Sequence, residues 1–285
     1  MKIIDSHVHF FDLAHGDYHW LKPETPPFWP DKQVINKSFT EHDLVLLNPL
    51  TIGGFVHIEA GYNNQAPWQE ISWLEQSCQL PFRSIANINL TLPSNEFQQQ
   101  IKKLITYPSV VGCRHILDQH ALALLTNKQV KNNFGVLNQQ SLNFEVQMHF
   151  SDHQAVNALQ AVIINNPRIN FIINHAGLPI AQEYNDSIVA LWRQGLAIVA
   201  QQQNVAIKCS GWEMLERNYN ENICKEIIEY CLTLFGANRV MISSNFPLTL
   251  FSHSYQDYWN MIIRTNIKNL QCLLHDNSQH WYSFT

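Results

Sequence analysis

The chain opens on Lys2-Ile3-Ile4-Asp5-Ser6-His7-Val8-His9-Phe10, and this stretch decides the fold. Ile3, Ile4 and Val8 are β-branched, so residues 2–8 predict a strand. Residues two apart on a strand share a face, so His7 and His9 look into one space. Two imidazoles on one face can bind a metal or hold a carbonyl oxygen between two donors. In a chain with 14 histidines, His-x-His alone carries little weight. Its meaning depends on what surrounds it.

Outward from this strand the pattern repeats. Short apolar runs rich in β-branched residues predict further strands at 53–59, 83–89, 110–115, 143–148, 169–174, 205–210 and 240–244. Helical patterns fall near 40–49, 67–79, 94–106, 127–139, 152–165, 187–203, 220–235 and 255–269. Thr40-Glu41-His42-Asp43 and Ser94-Asn95-Glu96-Phe97 each place a capping residue before an acidic first turn. Gly135 and Gly236 could each be a helix end or a plain turn. Eight strands, each followed by a helix, is the rhythm of a (β/α)8 TIM barrel, here one domain over 1–285. An open doubly wound sheet competes with it, but such sheets usually have fewer strands and a Gly-rich first crossover. The chain has no GxGxxG or P-loop motif. Residues 11–39 read as a long loop rich in Pro and aromatics, with two readings open. It is a lid over the C-terminal face, or a surface excursion that packs its aromatics.

In a barrel the C-terminal strand ends converge, so the polar residues there carry the functional reading. The second strand carries His57 and Glu59, and the fourth Arg114 and His115. The fifth brings Glu145, Gln147 and His149, and the sixth ends in Asn174-His175-Ala176-Gly177. The seventh carries Lys208-Cys209-Ser210-Gly211 and the eighth Ser243-Ser244-Asn245. Each has a plain structural explanation taken singly. A strand-end histidine can simply satisfy a hydrogen bond, Lys208 can snorkel, Arg114 can pair a carboxylate, and Glu145 can point either way. Together, at the ends of most strands, they describe a site. His15, His19, His42, His120, His253, His275 and His280 fall in loops or helices and read as solvated or structural.

Composition narrows the class. With 46% hydrophobic and 14% charged residues the chain can bury a large core. A net charge of −5 without a basic run argues against a nucleic-acid partner. No apolar run is long enough to span a membrane, and a charge at Lys2 breaks any signal peptide, so a cytoplasmic location is expected. The six cysteines lack a CxxC pair and suit free thiols in a reducing compartment.

These segments resemble the amidohydrolase superfamily, in its amidohydrolase-2 branch, and most nearly the lactone hydrolases related to L-fuconolactonase and 2-pyrone-4,6-dicarboxylate lactonase. IIDSHVHFFD with GDYHWL is similar to the family's opening, GFVHIEAGYNNQAPWQEISWLE to its second strand and following helix, and VVGCRHIL to its fourth strand. NFEVQMHFSDHQ resembles the fifth strand, INFIINHAGLPI the sixth, VAIKCSGW the seventh, RVMISSNFPL the eighth, and DNSQHWY the C-terminal signature. The resemblance runs nearly end to end.

It implies chemistry at the C-terminal face of the barrel. His7, His9 and His175 would polarise a carbonyl, either directly or through one divalent metal ion such as zinc that all three would ligate. Metal-free action is equally consistent with the branch. Arg114, His115, Gln147 and Lys208 would bind substrate. Asn245 stands where the family has an aspartate, which moves a proton from the hydrolytic water to the leaving oxygen. An amide has no accessible pKa for that task. Three readings remain open: Glu59, His149 or His175 is a displaced base; the amide only orients water; or the protein binds ligand without turnover. The expected function is hydrolysis of a small lactone of a sugar acid or carboxylate. Its alternatives are metal-dependent hydrolysis or decarboxylation of another small acid, and an impaired ligand-binding relative. The partner is a small-molecule substrate; Trp29 and Phe28 would serve a homodimer as readily as a lid.

Overall fold

The computed structural model describes residues 1–178 and 186–284. One parallel sheet runs in chain order through β1 (Lys2–Val8), β2 (Thr51–Ile58), β3 (Phe82–Asn87), β4 (Val110–Arg114), β5 (Asn143–Val146), β6 (Phe171–Ile173), β7 (Val205–Cys209) and β8 (Val240–Ile242). It closes where Val8 bridges Phe246 in parallel and the His9 N–H donates to the Phe246 carbonyl at 2.7 Å. The helices are α1 (Trp68–Ser77), α2 (Ser94–Leu104), α3 (Ala121–Thr126), α4 (Lys128–Gln140), α5 (His153–Asn165), α6 (Asp186–Ala200), α7 (Trp212–Leu215), α8 (Glu221–Phe235), α9 (Tyr255–Arg264) and α10 (Asn277–Trp281). The architecture is the (β/α)8 barrel. β5, β6, β7 and β8 are buried along their whole length, as parallel strands covered on both faces must be.

Inside the barrel, Val56, Ile58, Ile85, Ile172, Ala206 and Met241 pack with Trp281 and Tyr282 from the end of the chain. Asn143 donates to the Trp281 carbonyl at 2.8 Å and Arg83 Nε to the Ser283 carbonyl at 3.2 Å. These contacts, at the starts of β5 and β3, seat the C-terminal segment in the N-terminal mouth. A polar layer follows: Tyr282 OH donates to Glu145 Oε1 at 2.6 Å, and Lys208 Nζ lies 2.6 Å from Glu145 Oε2. Glu145 therefore points inward.

Two local expectations fail. Residues 40–49 do not form a helix: Thr40 caps only a single 3-10 turn at Glu41–Asp43, in a complete capping box. Beyond it Leu44 is buried while Val45 and Leu47 are exposed, an alternation that suits extended chain rather than one apolar helix stripe. Ser94 does not cap α2 but is its first residue after Pro93; its hydroxyl accepts from Gln129 at 2.9 Å instead. Gly236 follows α8 with φ 75°, whereas Gly135 sits inside α4. The part of the 187–203 helix prediction that is helical lies within α6. All six cysteines are free.

The long first loop is anchored along its length. Phe11 pairs antiparallel with Phe39, and Trp20 donates its indole N–H to the Ala60 carbonyl at 2.7 Å. Arg217, beyond β7, stacks 3.9 Å over the Phe251 ring and 5.2 Å over Trp29, and grips Asp31 at 2.8 and 3.0 Å. Trp29 meets Phe251 edge-on at 5.4 Å. The loop thus crosses the C-terminal face and packs its aromatics there; Phe28 alone among these rings is largely exposed, at 71%.

Tyr282→Phe removes the hydroxyl that serves Glu145 but keeps the ring. A loss of about 1–3 kcal/mol is expected in urea unfolding at neutral pH, the usual consequence of stripping a partner from a buried acceptor. An unchanged transition would mean that Lys208 alone satisfies Glu145.

Candidate active site

The site begins at the seam between β1 and β8. Asp5 is wholly buried and accepts from the Ser244 N–H at 3.0 Å, the Tyr255 hydroxyl at 3.1 Å, the His7 N–H at 3.3 Å and the Ser244 hydroxyl. Burial outweighs these bonds and raises its pKa to about 6. The carboxylate thereby fixes the end of β8 against the start of the histidine pair.

His7 and His9 do share one space. Their Nε2 atoms lie 3.2 Å apart, and the His175 ring centre is 4.7 Å from that of His7. His9 Nδ1 meets the Ile58 carbonyl at 2.8 Å. A carbonyl can only accept, so Nδ1 of His9 carries the proton and Nε2 presents a lone pair. The proton between the two Nε2 atoms then belongs to His7. His175 Nδ1 lies 3.0 Å from Ser210 Oγ. After β6 the backbone turns left-handed at His175 (φ 52°) and Ala176 (φ 54°), a conformation uncommon outside glycine and concentrated at functional turns. Gly211 lets the next loop approach: a Cβ there would stand 2.6 Å from His175 Nδ1.

All three imidazoles are held well below the usual histidine pKa, first by burial. The next cause is the Lys208 charge for His7 and His175, and the Arg114 charge for His9. They are neutral at physiological pH. Burial also brings Lys208 down to about 8, against the pull of Glu145. His57 is buried behind the pair, its ring 5.9 Å from that of Phe10, and burial brings it to about 3.

Arg114 forms the second arm. Its Nε donates to Glu59 Oε1 at 2.7 Å, one terminal nitrogen to the Glu59 carbonyl at 2.9 Å, and the other to Gln147 Oε1 at 3.1 Å. Asn87 reaches the second Glu59 oxygen at 3.3 Å. Glu59, Arg114 and Gln147 are thus brought together. His115 turns to the Ile88 carbonyl at 3.0 Å, and burial lowers its pKa. His149 is half-buried near Asp118; no hydrogen bond or ring contact among the described residues joins it to the three histidines.

Asn245, three residues past the end of β8, sits in the left-handed region (φ 58°), which asparagine tolerates better than most residues. Its Nδ2 donates to Glu213 Oε1 at 2.6 Å. Glu213 is buried, and burial raises its pKa to about 7. The sequence reading missed Glu213, and it gave no role to Asp5 or Ser210, though both lie in the strand-end stretches it singled out. Glu213 lies on a four-residue helix with no periodicity to mark it; the only signal was a carboxylate two residues past the Ser-Gly that ends the seventh strand.

The 3.2 Å between the His7 and His9 Nε2 atoms suits two ligands of one ion at about 2.0–2.1 Å each. A catalytic zinc takes three protein ligands, and among the described residues no group of three His, Cys, Asp or Glu side chains is disposed to hold a metal. Asn245, as an amide, is a poor metal ligand beside a carboxylate. The donor set as arranged does not fit a catalytic zinc. A separate groove of about 380 Å³, lined by Lys37, Phe39, Phe246, Leu250 and Tyr255 among others, shares none of the histidines.

The barrel gathers its polar groups at the C-terminal mouth, where the active sites of TIM-barrel enzymes lie. The chain belongs to the amidohydrolase family Amidohydro_2, whose model matches residues 4–284. It is 24% identical over 300 residues to the uncharacterised protein y4mH of Sinorhizobium fredii, spanning 99% of this chain and 98% of that one. An L-fucono-1,5-lactonase of Burkholderia multivorans is 28% identical over 101 residues, 33% of this chain and 34% of its own length. Among solved structures, an amidohydrolase from Burkholderia multivorans with bound zinc superposes with a TM-score of 0.81 at 19% identity, over 100% of both chains. A putative 2-pyrone-4,6-dicarboxylic acid hydrolase from Pseudomonas putida superposes at 0.74 and 18%, over 99% of this chain and 97% of that one. Among the described residues no helix is long and apolar enough to cross a membrane.

Glu70 supports the second strand's exit, accepting the Ala60 N–H at 2.9 Å, and burial with the nearby Glu59 charge raises its pKa to about 8. The folded chain keeps this proton up to about pH 8, whereas the unfolded chain releases it near 4.5, so stability falls as pH rises through that window. Glu70→Gln should flatten the change between pH 5 and 9 by a few kcal/mol, at roughly 1.4 kcal/mol per pKa unit. Equal pH profiles of unfolding free energy in both proteins would refute this.

Proposed function

We propose that this amidohydrolase opens a small lactone of a sugar acid or a carboxylate-bearing ring, by attack of water at the carbonyl carbon. The observation that supports it most is the cluster of three buried, neutral imidazoles beside the Arg114 arm. The His7 Nε2–H, which faces His9 Nε2 in the free site, is handed to the carbonyl oxygen when substrate enters and then to the oxyanion of the tetrahedral intermediate. Such a donor is preorganised in a site with little water, where it stabilises developing charge strongly. Arg114, held by Glu59 and Gln147, presents a guanidinium suited to a carboxylate or vicinal hydroxyls on the substrate. Lys208 adds positive charge beneath the cluster.

His175 receives the proton of the attacking water. In the tautomer that carries its proton on Nδ1, facing Ser210 Oγ, its Nε2 keeps a lone pair, and its low pKa keeps that lone pair free at neutral pH. Of the displaced bases expected, Glu59 has both oxygens engaged and His149 stands apart from the cluster. As the ring C–O bond breaks, His175 gives that proton to the leaving ring oxygen; the new acid loses its own proton to solvent, and the hydroxy-carboxylate leaves through the mouth under the first loop.

One observation favours a second reading: Asn245 replaces a titrating carboxylate with an amide, which suits a relative that binds ligand without turnover. The two are separated by a lactone panel assayed with chelator and with added zinc. Turnover of at least one lactone, retained under chelation, is expected, and His7→Asn should lower kcat/KM by about 10²–10³. Metal content of the purified chain should stay below about a tenth of an equivalent. Absence of turnover on every lactone in both conditions would overturn the hydrolase proposal in favour of the binding reading.

A further inference from the structure

The contact between Asn245 and Glu213 joins two side chains that are each almost wholly buried, at 1% and 0% exposure. A 2.6 Å bond from Asn245 Nδ2 to Glu213 Oε1 uses the amide nitrogen of one and a single carboxylate oxygen of the other. The other oxygens, Asn245 Oδ1 and Glu213 Oε2, are buried without a hydrogen-bond partner. Buried acceptors are almost always satisfied, so an orphaned amide oxygen at the end of a barrel strand marks a place where a ligand or a water supplies the donor. Other segments complete the Glu213 surroundings. Arg217 follows on its own segment, Tyr219 on the next loop, Cys224 on α8 and Tyr258 on α9. Asn245 stands between that set and the β1 end, where Phe246 bridges Val8 beside the His7–His9 pair.

We propose that Glu213 is a positioning residue: its carboxylate holds the Asn245 carboxamide with Nδ2 turned outward, so that Oδ1 is the atom the histidine pocket and its water meet. This deepens the lactone-hydrolase reading and rests on it for the water. The chemistry of the pair gives the arrangement a direction. An ionised carboxylate only accepts, so it can pair only with the NH2 end of the amide. A protonated carboxyl can donate to the amide oxygen instead, which would turn the NH2 end inward and remove the acceptor from the pocket. Burial places this change near pH 7. Arg217 opposes it weakly, and the neighbouring phenols and thiol are uncharged there.

The test uses full-length protein labelled with 15N-asparagine, the Asn245 side-chain amide signals being identified by their loss in Asn245→Asp. Expected is a titration of those signals between pH 6 and 8 in the unsubstituted protein, about the raised Glu213 value, and no titration in Glu213→Gln. On a lactone that the unsubstituted protein hydrolyses, kcat should rise by about ten-fold over the same window with KM changed by less than about two-fold, and Glu213→Gln should lose that rise, keeping only the titration of Asp5 and Lys208. Signals that do not titrate in the unsubstituted protein, or titrate equally in Glu213→Gln, overturn the proposal. The first of these comparisons needs no Glu213 variant to fold. If no lactone is turned over, the hydrolase reading fails while the amide titration still decides the role of Glu213.

Discussion

The site depends on a buried carboxylate at the barrel seam. A parallel barrel has one junction where the first and last strands must meet, and here β8 is only three residues long. Asp5 makes up for that brevity. By taking bonds from Ser244 and Tyr255 it ties the residues after β8 to the strand that carries His7. The Phe246 bridge to Val8 completes the closure. The same few residues therefore close the barrel and set the distance between the histidine pair and Asn245. A carboxylate does this better than an apolar contact because its acceptors fix direction as well as proximity.

Above this seam the charges are sorted by depth and partner. The two buried cations of the site each meet a buried carboxylate, Lys208 with Glu145 and Arg114 with Glu59. Their paired charges leave the histidines no favourable way to take up protons, and the three imidazoles stay neutral. A cluster of imidazolium ions would repel itself and could not offer lone pairs. Neutral rings can offer both N–H donors and free nitrogens, which is what carbonyl polarisation and proton acceptance require. The C-terminal tail belongs to this scheme, because Tyr282 both fills the barrel and supplies a donor to Glu145.

Much of this was legible in the sequence. The eight strands stand where apolar β-branched runs predicted them, though β6 and β8 are shorter than their runs. His7, His9 and His175 meet as expected, because a period of two and the convergence of barrel strands are geometric necessities. The helix expected at 40–49 failed because local propensity competes with burial, and there an alternating pattern won. Glu145 could not be assigned a direction from a four-residue strand alone. Glu213 was illegible for another reason: its meaning comes from a residue 32 positions later, reached through the turn after β7.

By itself the sequence determined the architecture, the family and the face on which the site lies, since strand periodicity and chain order dictate which side chains converge. It also determined that the segment leaving the eighth strand carries an amide, Asn245, rather than an acid. Only the tertiary structure decided the state and partner of each group. Burial sets the charge of the histidines and of Lys208, and the pairing of Asn245 with Glu213 sets which end of the amide is free. Those properties arise from desolvation and from contacts between distant segments, which no local pattern of residues encodes.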